Sequence, residues 1–198
     1  PVLLSIEYQN NTEEVVIGKT SNSGFGTYIR FPDSSQAWLV SGQLELSANM
    51  VDWLSPVFLD VDRSEITRVR FISPIGESVV ISATGETESA NIENMPDGVT
   101  LAYASVADTA LRALVNLRLL GVVRRDQFSW EQASTATFEL SSGSTIILKC
   151  LEQNDEYWVS SNQDGVLGLW SYRIDEHRYK QLTKTMSDYL AIESSDGA

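Results

Sequence analysis

The chain has 198 residues, 42% of them hydrophobic and 21% charged, which is enough to bury a real core and too apolar for bulk disorder. No run approaches the ~18 apolar residues of a membrane helix, and the single cysteine, Cys150, excludes an internal disulfide. The formal net charge of −13 argues against nucleic acid as a partner, because a phosphate-binding face needs surplus Lys and Arg.

The first segment alternates. Val2, Leu4, Ile6 and Tyr8 fall on one face of a strand, and Val15-Val16-Ile17 forms a second strand after a polar turn. Gly24-Phe25-Gly26 is a loop, and Thr27–Phe31 and Gln36–Val40 make a hairpin around Pro32. Leu46, Met50, Trp53 and Leu54 then lie on one stripe of a helix that Pro56 ends. In the middle segment, strands at 66–71 and 79–81 flank the turn Ser73-Pro74-Ile75-Gly76, and the polar residues 84–99 read as a long loop. The strongest helix follows. Ser105 and Asp108 resemble a capping box, Ala107, Ala110, Leu111, Leu114, Leu117 and Leu120 continue the apolar face, and Gly121 stands at a C-terminal cap position. The last segment has strands at 135–140, 144–151 and 156–160, a fourth around Trp170, and a third helix. That helix is capped by Asp175, with Tyr179, Leu182, Met186, Tyr189 and Leu190 inward.

The first and last segments match in order. At one constant offset Leu46, Met50, Asp52, Trp53 and Leu54 fall on Leu182, Met186, Asp188, Tyr189 and Leu190. A duplicated β-hairpin/strand/helix unit is the resulting expectation. The expected fold is α+β, with mainly antiparallel twisted sheets and three principal helices. A first β-rich unit covers residues 1–62. A middle hairpin, the long helix and the second β-rich unit cover 63–198.

These residues also resemble a family. The run Val15-Val-Ile-Gly-Lys19, the glycine loop, Thr27-Tyr-Ile-Arg-Phe31 and Trp38-Leu-Val-Ser-Gly42 are similar to the bacterial domain of unknown function 4340 family. So are Trp53-Leu54, Phe58–Asp62 and Ile66-Thr-Arg-Val-Arg70. The likeness covers most of residues 1–84 and extends more weakly to Tyr189. Thr84-Gly85-Glu86 and Gln127-Phe-Ser-Trp130 depart from the family pattern. The resemblance implies an extracytoplasmic or periplasmic domain held by an N-terminal membrane helix. It also implies protein partners among ABC-type export or gliding-type transporter components. A cytoplasmic location stays open. The start at Pro1, without Met and inside an apolar run, fits a segment whose natural N-terminus, with any anchor, has been removed. The family carries no established catalytic residue.

The chemistry-bearing residues are few. His177 is the only histidine, at a helix start where an imidazolium meets the positive dipole end. Cys150 lies in an apolar run and reads as a buried small hydrophobe. One His and one Cys do not supply a zinc site. Asp60, Asp62 and Glu65 form a carboxylate cluster with oxygen ligands suited to Ca²⁺ or Mg²⁺, weighed against a solvated linker that caps the next strand. Glu152, Asp155 and Glu156 read as a charged hairpin turn, and Arg124-Arg125 as surface charge after the long helix. Trp38, Trp158 and Trp170 are the candidate ligand or partner contacts. The sequence therefore points to a non-enzymatic protein-interaction domain without a cofactor. The alternative is a small-ligand or glycan-binding module that uses exposed Trp and Tyr.

Overall fold

The computed structural model describes residues 1–44, 46–47, 49–85, 89–162 and 168–191, with the backbone alone at Met50. The chain divides into two compact units, Pro1–Ala48 and Asn49–Ala198. The boundary drawn from sequence after residue 62 falls inside the second unit.

The first unit is an antiparallel meander of β1 (Val2–Tyr8), β2 (Asn11–Thr20), β3 (Gly26–Arg30) and β4 (Ala37–Ser41), paired in chain order. Its strands form where apolar and polar residues alternate, and its turns form where they stop. Gly26 is required by a close approach. A Cβ there would stand 2.7 Å from the Val40 carbonyl oxygen, so any side chain would push β3 off β4. Among the described residues of this unit, Ile17 is the only large hydrophobic that is buried.

The second unit is built on eight antiparallel strands. They are β6 (Ile66–Ile72), β7 (Ser78–Thr84), β8 (Ser89–Ile92), β10 (Gly121–Arg124), β11 (Ser134–Leu140), β12 (Thr145–Gln153), β13 (Glu156–Ser161) and β14 (Trp170–Ile174). Their order is β10-β14-β13-β12-β11-β6-β7-β8. A two-stranded ribbon joins β5 (Val57–Leu59) to β9 (Leu117–Arg118). The registers place one apolar row across the sheet. Phe71 lies opposite Ala136 and Ala136 opposite Leu148, while Val69 lies opposite Phe138 and Phe138 opposite Ile146. Cys150, Val159 and Tyr172 continue that face. Over it pack α1 (Asp108–Leu111), which meets β6, β7 and β8, and α2 (Glu176–Leu182), which meets β13. Leu111, Leu114, Leu117 and Leu182 are fully buried, and each contributes about 1.5–3 kcal/mol through area removed from water.

The helices depart from the sequence reading. Among the described residues only two segments are α-helical, four and seven residues long, so the chain is mainly antiparallel sheet and not α+β with three principal helices. The first expected helix is one 3-10 turn, Met50–Trp53, with Trp53 and Leu54 exposed. The long second helix is a single α-turn wound into i→i+3 turns on both sides, for example Val106 N–H to Tyr103 and Ala113 N–H to Ala110. It ends at Asn116, which takes a positive φ of 51°, because Leu117 pairs with β5. The third breaks after Leu182 into a 3-10 turn, Met186–Tyr189. The polar stretch expected to be loop contains β8, and Asn94 extends that edge with its side chain, accepting from Val80 N–H and donating to the Ser78 carbonyl.

The duplicated unit also fails at its helix. β1–β4 and β11–β14 are both meanders, and both Met-x-Asp-aromatic runs are 3-10 turns. However, α2 has no counterpart among the described residues after β4, and β11–β14 belong to a larger sheet with a covered face. The Met50 side chain, on which part of the match rests, lies outside the described residues.

Candidate functional site

In the first unit, strand alternation and register gather apolar side chains on one face. Val2 lies opposite Ile17 and Leu4 opposite Val15, while Ile17 lies opposite Ile29 and Ile29 opposite Trp38. Cross-strand partners share a face, and Ile6 and Tyr8 extend it along β1, opposite Glu13 and Asn11. Val2, Ile6, Tyr8 and Trp38 are about half exposed, Trp38 at 49%. The other face is mixed, with Ser5, Glu7, Glu14 and Arg30 between Leu3, Tyr28 and Leu39. At one end of this unit a cleft of about 500 Å³ is lined by Glu13, Glu14, Asp33, Phe31 and their neighbours.

Of the carboxylates singled out from sequence, Asp60, Asp62 and Glu156 are engaged in local structure. Asp60 accepts from the Asn116 N–H at 2.8 Å, steadying the residue with positive φ. Asp62 accepts from the Ser64 hydroxyl at 2.6 Å and its N–H at 2.8 Å, so it caps the 3-10 turn Arg63–Glu65, and those bonds hold its carboxyl below the ordinary value. Glu65 contributes its carbonyl to Ser141 N–H. Glu156 pairs with Arg173 across the β13–β14 ladder. Among the described residues no group of three or more His, Cys, Asp or Glu is arranged to hold a metal ion.

His177 is exposed on α2, and its Nε2 meets the Gln181 amide at 3.1 Å. Among the described residues no hydroxyl nucleophile or carboxylate joins that contact. Cys150 is 1% exposed in the middle of the large sheet, and burial pushes its thiol far above the ordinary value, which makes it inert as a thiolate.

The three tryptophans part company. Trp38 stands on the open face of the first unit. Trp158 is only 6% exposed and packs on Phe128 at 4.9 Å, so its ring is spent on internal contact. Trp170 on β14 lies directly opposite Arg124 on β10, whose guanidinium sits 5.5 Å from the centre of its ring. Beside that pair, Arg125, Asp126, Phe128, Trp130, Gly168 and Leu169 line, with Arg124, a cleft of about 350 Å³. The sequence assigns no functional role to Phe128 and Trp130, and it reads Arg124-Arg125 as surface charge. The available signal is the spacing of Arg124-Arg-Asp-Gln-Phe-Ser-Trp130, two aromatics two residues apart that begin three residues after two arginines.

A family model described as Domain of unknown function (DUF4340) matches residues 3–142. The chain belongs to this family. The domain of unknown function 4340 match takes in the first unit's sheet except Val2 and runs through β11, including Arg124, Arg125, Phe128 and Trp130. Trp158 and Trp170 lie beyond it. No curated protein and no solved structure matches the chain. Among the described residues no helix is long and apolar enough to cross a membrane.

Proposed function

We propose that the chain is a non-enzymatic, extracytoplasmic protein-interaction domain serving a membrane transport assembly of the ABC or gliding type. One observation supports the interaction role above others. The four-stranded sheet of the first unit keeps Val2, Ile6, Tyr8 and Trp38 half exposed on a single face. Contiguous apolar surface of this kind is uncommon on proteins that meet only water, and it marks interaction sites. Tyr8 and Trp38, on the two edge strands of this face, are aromatics of the kind that anchor such contacts. The extracytoplasmic setting and the transport context rest on what the family resemblance implies. A non-catalytic role is supported by the use of Asp60, Asp62 and Glu156 in capping and pairing, and of His177 in a contact with Gln181.

Photo-crosslinking in the native host tests this reading. A benzophenone amino acid replaces Ile6 or Trp38 on the apolar face, or Ser5 or Glu14 on the mixed face. The expected outcome is one discrete adduct with a membrane transport component from the first pair and none from the second. Absence of any discrete adduct from Ile6 and Trp38, or equal yields from both faces, would overturn it.

A further inference from the structure

The cleft beside Trp170 goes beyond the interaction role and involves only the second unit. We infer that it binds a monoanionic carboxylate carried on an aryl or alkyl body. Arg124 and Arg125 both line it, and among the described residues neither meets a carboxylate. The protein has 27 acidic and 14 basic residues, and what sets this pair apart from other arginines without an ion pair is that both line one cleft beside aromatic rings. Arg63, Arg68, Arg112 and Arg173 are all ion-paired. Arg124 and Arg125 have no such partner among the described residues, and both contribute to the lining of the cleft. Arg124 is held by the Trp170 ring, a cation–π contact that leaves its N–H groups available.

The rest of the lining supplies an apolar seat. Trp130 donates its indole N–H to the Arg125 carbonyl at 3.1 Å, which closes the turn and satisfies the ring's only donor. Phe128 meets Trp130 edge-on at 5.9 Å and Trp158 at 4.9 Å. The aromatic wall is therefore braced from the sheet outward and needs little ordering when a ligand arrives. Leu169 is exposed at the rim.

Charge and size select the ligand class. Asp126 lines the same cleft, so the lining carries one positive charge in excess. A planar carboxylate matches the guanidinium fork, and one negative charge matches that excess. A polyanion would meet the repulsive field of a chain with net charge −13. The volume of about 350 Å³ lies at the small end of ligand sites, which run from about 300 to 1,000 Å³. The carboxylate has two natural sources, a free organic acid or the C-terminal residue of a peptide.

Nuclear magnetic resonance titration of the whole chain tests the inference, read at the indole N–H resonances of Trp130 and Trp170. The probes are 3-phenylpropanoate, its neutral amide, and acetyl-Ala-Ala-Phe with a free C-terminus. The expected result is a saturable shift with a Kd of about 1 mM or tighter for an acid, and binding at least about tenfold weaker for the amide. Arg124→Gln with Arg125→Gln should weaken the acid by about tenfold or more. It keeps the carbonyl that holds Trp130, so an unmoved Trp130 indole resonance without ligand reports an intact turn. Asp126→Asn should act in the opposite direction and tighten binding, because it removes the competing charge. Tighter binding of the tripeptide assigns the source to a peptide terminus, and tighter binding of 3-phenylpropanoate assigns it to a free acid. No saturable shift from either acid at about 10 mM, equal binding of the amide, or indifference to the arginine pair would overturn the inference.

Discussion

Asp108 lies at the start of α1 with 7% exposure, clamped by Arg63 at 2.8 Å and Arg112 at 2.7 Å. Burial pushes its carboxyl up, and the hydrogen bonds from Arg112 and then Arg63 outweigh that and hold it below the ordinary 3.8. A depressed carboxylate stabilises the fold fully above its unfolded value and loses that contribution as pH falls through the folded one. Asp108→Asn should therefore cost about 3 kcal/mol at neutral pH, because it leaves a largely buried Arg63 without its counter-charge. It should also flatten the loss of stability below about pH 4. Urea unfolding of both proteins at neutral and acid pH measures the two effects, and an equally steep acid limb in the variant would refute the assignment. At this scale the sequence was a partial guide. The spacing marks Asp108 as part of a capping box, but the helix has no side-chain cap hydrogen bond, and the two guanidinium partners of Asp108 come from positions 45 residues before it and four after it. Only the second of these distances is local.

Among the elements, the β12–β13 hairpin carries a strain that can be relieved. Gln153 pairs with Glu156, and the two residues between, Asn154 and Asp155, take φ of 54° and 60°. Positive φ at both positions marks the primed turn that matches strand twist, and glycine is favoured at its second position. Asp155→Gly should raise stability by about 0.5–1 kcal/mol, since it removes a left-handed conformation that L side chains resist. A thermal midpoint that falls would show that the Asp155 side chain makes a compensating contact. Hairpins such as this were legible because alternation and turn residues are local signals. The helices were not. Ala107, Ala110, Leu111, Leu114 and Leu117 keep helical spacing, and all are buried, but the same spacing suits a chain wound in i→i+3 turns over a sheet. The choice was made by tertiary demand. Leu117 must reach β5, and Asn116 turns the chain toward it. The candidate cleft was hidden for the same reason. With a long helix assumed, Arg124 and Arg125 followed its end, whereas the structure sets Arg124 across from Trp170 on a neighbouring strand.

At the level of the whole chain, the two units differ in what holds them. The second has a continuous core from Leu59 to Tyr189, while the first, in its described residues, buries Ile17 alone among its large hydrophobics. A domain of that length is near the lower limit for independent folding even with a good core. Residues 49–198 made alone should unfold cooperatively with urea, and residues 1–48 made alone should show no sheet signal by circular dichroism. A folded, cooperative fragment 1–48 would contradict this account and would mean that edge pairing and turns suffice without a buried layer. Cys150 gives the second unit a further property. Its sulfur lies in the middle of the eight-stranded sheet, on a strand flanked on both sides, with 1% exposure. Fraying at either edge strand leaves it covered, so a thiol reagent reaches it only when the whole sheet opens. With no other cysteine in the chain, the rate of labelling at this one atom is a clock for global opening, set into the protein by its own sequence.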